Sequence, residues 1–235
     1  MTAPVLVFDR VSIHADGSAL LGPVSLTLAT PGITVVMGPN GAGKSLFLAA
    51  AHGLLALEGG RITWDGRDAA TSRAARGFVF QTTPVLRRSV AGNVAFPLIA
   101  RKHGRAEIRT RVAAALAEAR LSALARQPAA ALSGGELKRL DLARAMVGRP
   151  TSLLLDEPSA NLDPASTAEL EKALHRIAAR GVKVLVSTHD VAQARRLADD
   201  ILFIDGGQLA EQADADGFFA APASLAAQKY LRGEL

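Results

Sequence analysis

A glycine-rich segment with a lysine and a serine at its end, Gly38-Pro39-Asn40-Gly41-Ala42-Gly43-Lys44-Ser45, is the first candidate for chemistry. It follows the apolar run Ile33–Met37 and precedes an apolar stretch at helical spacing, the setting that a phosphate-binding loop requires. Glycines let backbone N–H groups close around phosphate oxygens at a helix start. Lys44 offers a cation to the phosphates and Ser45 offers a hydroxyl to Mg²⁺. The segment therefore predicts a nucleotide site.

Two adjacent acids, Asp156 and Glu157, follow the apolar run Thr151–Leu155 and precede Pro158. A continuous apolar run is typical of a strand buried on both faces of a parallel sheet. Ligands of such sheets bind beyond the carboxyl ends of the strands. We therefore expect both carboxylates to emerge beside the phosphate-binding loop. Three leucines in the run disfavour the alternative of two solvated loop acids.

A histidine and a serine–glycine segment complete the set of candidates. His189 follows the β-branched run Val182–Ser187, so it should lie at the same edge of the sheet. Ser133-Gly134-Gly135 precedes an amphipathic segment, Glu136–Val147, at whose start backbone N–H groups can bind an anion. A serine with a glutamate three residues later also fits an ordinary helix cap, and both interpretations can hold together.

The segment Leu132-Ser133-Gly134-Gly135-Glu136, between a phosphate loop and an acidic strand, resembles the signature of the ATP-binding-cassette (ABC) ATPases, the motors of ABC transporters. Motifs of this family follow in order over nearly the whole chain. The resemblance implies an ATPase that binds ATP and Mg²⁺, in which Asp156 holds the metal through water. It also implies that Glu157 is the general base for the attacking water, and that His189 contacts the γ-phosphate and positions that water.

Three further positions take an implied role from the same resemblance. Gln81, after the strand-like Gly77–Phe80, matches the glutamine that contacts Mg²⁺ and the attacking water. Leu46 stands where most family members have a second hydroxyl residue, which implies one lost contact to the α-phosphate with the backbone N–H kept. His14 lies near the position of an aromatic side chain that stacks on adenine. An imidazole buries less area, so the alternative of no such role stays open.

The remaining motifs imply a second copy of the chain. If Ser133-Gly134-Gly135 starts a helix in a separate subdomain, it cannot reach the phosphate loop of its own chain, so its natural target is ATP on another copy. Ser159–Asp163 resembles the aspartate loop of the family, which crosses the dimer interface. Asp163 also fits the cap of a helix that starts at Pro164. Two copies would close head to tail around two ATP molecules.

The elements that must position these residues indicate an α/β fold. We predict a P-loop NTPase core of mainly parallel sheet, with an N-terminal antiparallel β subdomain and an inserted α-helical subdomain. Residues 1–235 are predicted to form one ABC ATPase domain, with the core at 1–86 and 150–213, the helical subdomain at 87–149 and a short tail at 214–235. Strands are expected at Val5–Ile13, Val24–Leu28, Ile33–Met37, Gly60–Trp64, Gly77–Phe80, Thr151–Leu155, Val182–Ser187, Ile201–Ile204 and Gly207–Glu211, and helices at Lys44–Leu55, Ala106–Ala125, Glu136–Val147 and Pro164–Ala179.

The composition argues against several classes of protein. The chain has no cysteine, which excludes disulfides and thiolate metal sites. No apolar run approaches the roughly 18 residues of a spanning helix, and Met1–Arg10 lacks the apolar centre of a signal peptide. The net charge of +5 is spread along the chain and aromatic residues make up only 4%, so we expect no nucleic-acid partner. These features predict a soluble, cytoplasmic protein.

The resemblance further implies transport through separate permease subunits, with the chain peripheral on the inner face of the cell membrane and a solute-binding protein as an indirect partner. Thr82–Leu98 would receive the coupling helix of the permease. A single cassette with a short tail looks like a bacterial importer subunit. Within that class, Pro31–Met37, Pro84–Val90 and Asn93–Pro97 look most like ATPases of tungstate or molybdate uptake.

Other functions of the same motor stay open or are disfavoured. The motifs fit an importer of another small solute, such as phosphate or an amino acid, and they also fit an exporter. ABC ATPases of DNA maintenance insert long coiled coils or zinc modules before the signature, and residues 46–132 contain neither a heptad run nor a cysteine. Ribosome-associated translation factors resemble two cassettes in one chain, and this sequence shows one.

Overall fold

The computed structural model describes residues 4–15 and 17–234. Within these ranges the strands are β1 (Leu6–Ala15), β2 (Ser18–Leu28), β3 (Ile33–Met37), β4 (Gly59–Trp64), β5 (Arg67–Asp68), β6 (Arg76–Val79), β7 (Ser152–Leu155), β8 (Lys183–Ser187), β9 (Asp200–Asp205) and β10 (Gln208–Asp214). The α-helices are α1 (Lys44–His52), α2 (Val90–Ala100), α3 (Arg105–Glu118), α4 (Gly134–Met146), α5 (Pro164–Ala179), α6 (Val191–Leu197), α7 (Ala215–Ala220) and α8 (Leu225–Leu231). The predicted domain limits at residues 1 and 235 lie outside the described residues.

The larger sheet has the strand order β10-β9-β3-β8-β7-β6, and its neighbouring pairs are parallel except for β10 with β9. Every residue of β3, β7 and β8 is buried, in keeping with their mostly apolar sequences. The parallel strands end at one edge of the sheet, where the segments that carry Gly38, Gln81, Asp156 and His189 begin. The mainly parallel core predicted from the sequence is confirmed.

A second, antiparallel sheet is built by the N-terminal strands in the order β2-β1-β4-β5. Its apolar residues share one core with α1 and the parallel sheet, and the rings of Phe8 and Phe47 stack with centroids 4.6 Å apart. This packing fixes α1, and with it the loop that precedes α1. The predicted antiparallel β subdomain is confirmed, although β2 begins at Ser18 rather than at the predicted Val24.

The helices α2, α3 and α4 enclose an apolar cluster of their own, which includes Val94, Leu116 and Leu140. The inserted α-helical subdomain predicted from the sequence is therefore confirmed as part of the fold. Its exact limits, residues 87 and 149, stay a prediction.

Two helices of this subdomain differ from the prediction. The sequence analysis predicted no helix at α2, which contains Gly92 and Pro97, residues that disfavour a helix interior. Ser89 caps its start, because the Oγ of Ser89 accepts the N–H of Gly92 at 3.1 Å. The prediction that α3 continues to Ala125 was wrong: the helix ends at Glu118, since Arg120 has a left-handed φ of 55° and a 3₁₀ turn follows.

The opposite face of the parallel sheet is covered by α5 to α8, which pack on apolar residues of β3, β7, β8 and β9. α5 begins as predicted, because Asp163 accepts the N–H of Ser166 at 2.9 Å and Pro164 occupies the first helical position. In residues 4–15 and 17–234, no helix combines the length and the apolar character needed to cross a membrane.

Candidate functional site

The loop between β3 and α1 has the backbone of a phosphate cradle. Gly38 has a φ of 148°, and a Cβ there would come within 2.0 Å of the carbonyl oxygen of Ile204, so a side chain does not fit. Gly43, with a φ of 102°, immediately precedes the first turn of α1. The first N–H groups of a helix have no intrahelical partners and attract anions. The loop therefore fits the phosphates of a nucleotide.

Lys44 adds a fixed positive charge to this loop. Its Nζ donates to the carbonyl oxygens of Gly38 and Pro39, each at 2.9 Å. The side chain is only 5% exposed. Burial lowers the pKa of Lys44, while the nearby carboxylates of Glu157 and Asp156 partly oppose that effect. The ammonium group is thus held at the loop rather than in solvent, as a phosphate contact requires.

Asp156 belongs to a hydrogen-bonded group at the ends of β7 and β8. Its Oδ1 accepts the hydroxyl of Ser45 at 3.0 Å and the hydroxyl of Ser187 at 2.7 Å. The Oγ of Ser187 in turn accepts the backbone N–H of Glu157 at 2.9 Å. A hydroxyl and a carboxylate oxygen so close together suit Mg²⁺, which binds few protein ligands and completes its shell with water and phosphate.

A metal at this position would depend on the nucleotide. Among the residues that the structure describes, no group of three or more His, Cys, Asp or Glu side chains is arranged to hold a metal ion. Ser45 and Asp156 together place two oxygen groups 3.0 Å apart at this position. This donor set therefore fits a phosphate-bound Mg²⁺ and does not fit a protein-only metal cage.

The carboxylate of Glu157 lies close to three of the other predicted site residues. One carboxylate oxygen, Oε1, lies 3.2 Å from His189 Nδ1 and 3.8 Å from Lys44 Nζ. The other, Oε2, accepts from Gln81 Nε2 at 3.4 Å. Glu157 also has a left-handed φ of 39°, an unfavourable backbone conformation for a residue other than glycine. The structure thus brings residues from three other segments to the carboxylate of Glu157.

These groups line a cavity of about 780 Å³. Its walls come from the phosphate loop, the glutamine segment, the acidic strand end and the histidine segment. The predicted residues among them are Asn40, Gly41, Gly43, Lys44, Ser45, Leu46, Gln81, Glu157 and His189. Gly38, Pro39, Ala42 and Asp156 belong to the same segments but are not among the residues that line the cavity. A polar cavity of this size with one cation and several oxygen groups is suited to a nucleotide triphosphate.

The predicted signature residues lie elsewhere. Ser133-Gly134-Gly135 lines a second cavity of about 1030 Å³, between α3, α4 and α5, and does not line the first. The carboxylate of Glu136 accepts the backbone N–H and the hydroxyl of Ser133, each at 2.8 Å, and these hydrogen bonds lower the pKa of Glu136. The interpretation of Ser133 as a helix start is therefore correct. The same chain does not bring this segment to its own phosphate loop.

Asp163 lies beside this second cavity, as a helix cap. Its carboxylate accepts the N–H of Ser166 at 2.9 Å and the hydroxyl of Ser166 at 2.6 Å, and these bonds lower the pKa of Asp163. Asn161, two residues earlier, lines both cavities. The segment 159–163 therefore connects the two regions, although Asp163 itself does not line the first cavity.

His14 lies on β1, outside the residues that line the first cavity. It pairs in register with Ala19 of β2, and its Nδ1 lies 3.0 Å from the carboxylate of Glu58. The neighbouring Leu20 is close to the phosphate loop, because a Cβ at Gly43 would lie 3.4 Å from the Leu20 carbonyl oxygen. Adenine stacking by His14 stays a prediction.

Two residues of the site were missed by the sequence analysis. Ser187 ends the apolar run before His189, and its fully buried side chain makes hydrogen bonds to both Asp156 and Glu157. Lys138 of α4 donates its Nζ to the carbonyl oxygens of Phe80 at 3.2 Å and Gln81 at 2.6 Å. Burial lowers the pKa of Lys138. A lysine in an amphipathic helix gives no sequence signal for such a contact.

Comparison with known proteins agrees with this geometry. The family model described as "ABC transporter" matches residues 21–160, more than half of the chain. The chain belongs to the ABC transporter family. It is an ATP-binding subunit of that family, with ATPase activity coupled to transport, and its nucleotide is ATP.

Curated relatives match over most of the chain. An Fe(3+) ions import ATP-binding protein of Streptomyces coelicolor is 39% identical and covers 94% of this chain, with 67% of the relative covered. A tungstate uptake system ATP-binding protein of Peptoclostridium acidaminophilum is 38% identical, over 86% of this chain and 94% of the relative. The solved structure of cbiO1 from Clostridium perfringens, part of the ABC transporter complex cbiONQ, aligns with a TM-score of 0.83 at 29% identity, over 92% of this chain and 90% of that one.

Proposed function

We propose that this chain is the ATP-hydrolysing subunit of an ABC importer and works as a dimer in which each copy completes the nucleotide site of the other. One observation carries the proposal: the phosphate loop and the Ser133–Gly135 segment line two different cavities of one chain. A single copy therefore supplies only part of the enclosure that the family motifs describe. A second copy would supply the rest.

Within one copy, the proposed roles follow the contacts of the first cavity. The loop Gly38–Ser45 with Leu46 holds the phosphates of ATP, and Lys44 neutralises part of their charge. Ser45 and Asp156, whose side chains are hydrogen-bonded at 3.0 Å, would hold Mg²⁺ together with Gln81. The metal would neutralise charge on the phosphate oxygens. The remaining residues act on the attacking water.

Glu157 is proposed as the general base for that water. Its carboxylate lies within 3.2 Å of His189 and 3.4 Å of Gln81, so both neighbours can orient a water molecule held by Glu157. His189 and Gln81 are the proposed positioning groups for the water and the γ-phosphate. Phosphoryl transfer depends mainly on positioning and charge stabilisation, which this group of residues offers.

The second copy would add Ser133, Gly134 and Gly135 at the start of α4, with Asp163 at the dimer interface. Backbone N–H groups at this helix start suit the γ-phosphate of ATP on the other copy. Closing the dimer would then require ATP, because the phosphate charge is neutralised only when both halves meet. Hydrolysis would release the interface and so act as the switch of the transporter.

The proposed partners are separate permease subunits and a solute-binding protein that acts through them. We propose no nucleic-acid partner. Relatives at 36–39% identity are named import ATP-binding proteins, which supports an importer. Two exposed rings mark the segment 82–98 that we assign to the permease: Phe80, just before it, is 44% exposed, and Phe96, within it, is 40% exposed. With this assignment, the proposed location of the chain is the cytoplasm, on the inner face of the membrane.

We also propose the division of the chain into a core at 1–86 and 150–213, a helical subdomain at 87–149 and a tail at 214–235.

An oxyanion of the tungstate or molybdate class is the proposed solute. A tungstate uptake relative at 38% identity and a phosphate import relative of Natronomonas pharaonis at 36% identity support an oxyanion. Relatives named for Fe(3+) and methionine import at similar identity make another small solute the second candidate. Co-purification with the permease, followed by ATPase assays with each solute-loaded binding protein, decides between them. If only the iron-loaded or the methionine-loaded binding protein raises ATPase activity, the oxyanion is rejected as the solute.

The dimer itself is tested with Glu157→Gln. The variant keeps the size of the side chain but removes the base, so it should bind ATP, hydrolyse it at least about a hundredfold more slowly and accumulate as a dimer. Sedimentation velocity with and without ATP measures the dimer, and wild-type protein with ADP serves as the control. Wild-type turnover by Glu157→Gln would remove Glu157 from its proposed role. A variant that stays monomeric with ATP bound would reject the shared site.

A further inference from the structure

The side chain of His189 is not held in place by packing, since it is 54% exposed. Its position relative to Glu157 therefore depends on the backbone that carries it. On one side, the N–H of Thr188 donates to the carbonyl oxygen of Val36 at 3.2 Å. On the other side, Asp190 caps α6 by accepting the N–H groups of Ala192 and Gln193. Between these two anchors, the carbonyl group of His189 has its own partner.

That partner is Tyr230, whose hydroxyl donates to the carbonyl oxygen of His189 at 2.7 Å. The two residues are 41 positions apart, and Tyr230 belongs to α8, an element that none of the family motifs includes. The distance is that of a strong O–H···O hydrogen bond. The contact therefore connects α8 directly to the backbone of the histidine segment.

Helix α8 is itself firmly attached to the core. The carboxylate of Glu211 on β10 accepts the N–H groups of Ala223 and Ser224 at 2.9 and 2.8 Å, just before α8 begins. Ala227 is fully buried against the sheet. The ring of Tyr230 packs on Phe203 of β9 with centroids 5.3 Å apart. The hydroxyl of Tyr230 thus projects from a rigid support.

We infer that Tyr230 is a positioning residue for ATP hydrolysis: through the carbonyl group of His189, it sets the distance between the imidazole and the carboxylate of Glu157. This inference rests on the proposed role of His189. Burial of Tyr230 and the nearby carboxylates of Asp190 and Glu157 raise the pKa of its phenol, so the hydroxyl stays protonated and able to donate at neutral pH. Tyr230 itself touches none of the reacting atoms.

The test uses the full chain and compares Tyr230→Phe with wild type. Phenylalanine keeps the ring against Phe203 and removes only the hydroxyl, so the protein should fold. We expect kcat for ATP to fall about fivefold, the effect of one neutral hydrogen bond, with KM for ATP within about twofold. A separate readout needs no nucleotide: the ring signal of His189 in the NMR spectrum of histidine-labelled protein, assigned with His189→Ala, should shift while the other four histidine signals stay in place.

Phe219→Leu provides a matched control in the neighbouring helix. Phe219 of α7 packs edge-on against Phe218 and lies under the guanidinium of Arg195, 4.3 Å from its ring centre, so its loss weakens the packing around the helices without touching the His189 bond. We expect a lower melting temperature, an unchanged His189 signal and unchanged kcat. The same His189 shift in Phe219→Leu would show a general loosening and overturn the inference.

The remaining outcomes are also decisive. A Tyr230→Phe protein with wild-type kcat, or with an unshifted His189 signal, overturns the positioning role of Tyr230 and leaves the proposed function untouched. Full turnover by His189→Ala would instead reject the proposed role of His189, and the inference with it, whatever the Tyr230→Phe spectrum shows.

Discussion

The hydroxyl of Ser187 donates to Oδ1 of Asp156 at 2.7 Å, and the two residues stand at the ends of neighbouring parallel strands. The same oxygen of Ser187 accepts the backbone N–H of Glu157 at 2.9 Å. One fully buried side chain therefore fixes both the proposed metal ligand and the proposed base. The hydrogen bond from the Glu157 N–H to Ser187 also helps to hold the left-handed backbone of Glu157, because a strained backbone conformation persists only where its surroundings stabilise it.

Replacing Ser187 with alanine should slow ATP hydrolysis about tenfold. The variant removes the donor to Asp156 and leaves the N–H of Glu157 buried without its partner, which costs about 1–3 kcal/mol. Part of this cost should appear as lower stability and part as a displaced carboxylate pair. Steady-state ATPase assays and urea unfolding of the same preparations measure the two effects.

Ser152 offers a matched control for that experiment. It is a fully buried serine on β7, and its hydroxyl has no hydrogen-bond partner among the residues that the structure describes. Ser152→Ala should therefore leave ATPase activity unchanged and stability equal or slightly higher. If Ser187→Ala behaves like Ser152→Ala in both assays, the hydrogen bonds of Ser187 do not organise the acidic pair.

Ser133→Arg should abolish turnover while ATP binding persists. The signature segment lines a cavity that does not include the phosphate loop of its own chain. A bulky cation at Ser133 should therefore leave the chain's own ATP site open and obstruct only the closure of this segment on the ATP of the second copy. We expect binding affinity for ATP within about threefold of wild type and a loss of turnover of more than about a hundredfold. Isothermal titration calorimetry and ATPase assays measure these quantities.

Ser122→Arg is the control for the bulk and charge of that substitution. Ser122 is an exposed residue of a 3₁₀ turn in the same helical subdomain, outside the residues that line either cavity. The variant should bind and hydrolyse ATP like wild type. Loss of ATP binding in Ser133→Arg, with binding retained in Ser122→Arg, would place the signature on its own nucleotide and reject the shared site.

Lys138→Met should lower kcat about tenfold with little change in KM for ATP. Lys138 is one turn along the helix that begins at the signature, and its Nζ holds the backbone of Gln81, whose amide contacts Glu157. Methionine fills similar space but cannot donate, and hydrogen bonds from a charged group are worth about 1.5–3 kcal/mol. Lys172→Met, at a lysine of α5 that is 66% exposed, should have no effect on kcat. A Lys138→Met protein with wild-type kcat would show that Gln81 does not need this anchor.

The local parts of the site could be predicted from the sequence, whereas the contacts between distant segments could not. The phosphate loop and the helix cap at Asp163 can each be predicted from a few adjacent residues. These are glycines before a lysine in the first case and an aspartate before Pro164 in the second. Ser187 and Asp156 are 31 residues apart, and Lys138 and Gln81 are 57 apart. Only the packed fold brings such pairs together.

Helix α2 shows the same limit in secondary structure. Gly92 and Pro97 argue against a helix on local grounds, and tertiary contacts override them. Val94 and Leu98 are fully buried in the helical cluster, and the buried side chain of Asn93 exchanges hydrogen bonds with both backbone groups of Leu86. The stabilising partners lie outside the helix itself, which is why its own sequence does not indicate it.

Lys183 should make the stability of the protein depend on pH above neutrality. Its side chain is completely buried at the end of the sheet away from the site, with Nζ 2.7 Å from Thr34 Oγ1 and 3.9 Å from Asp200 Oδ2. Burial lowers its pKa to about 8, against the opposing effect of Asp200 and Asp199. Between about pH 8 and 10.5 the unfolded chain therefore binds more protons at this residue than the folded chain does. The contribution of Lys183 to the free energy of unfolding should rise with pH through this window, by about 3 kcal/mol at most.

Lys183→Met removes that titration and so provides the comparison. Urea unfolding of both proteins at pH values from about 7.5 to 10 should give a wild-type free energy of unfolding that rises relative to Lys183→Met as pH increases. Lys229→Met, at an exposed lysine of α8, should instead run parallel to wild type. If the difference between wild type and Lys183→Met stays constant over this range, the pKa of Lys183 is not depressed, and its ammonium group is stabilised by Thr34 and Asp200 well enough to offset its burial.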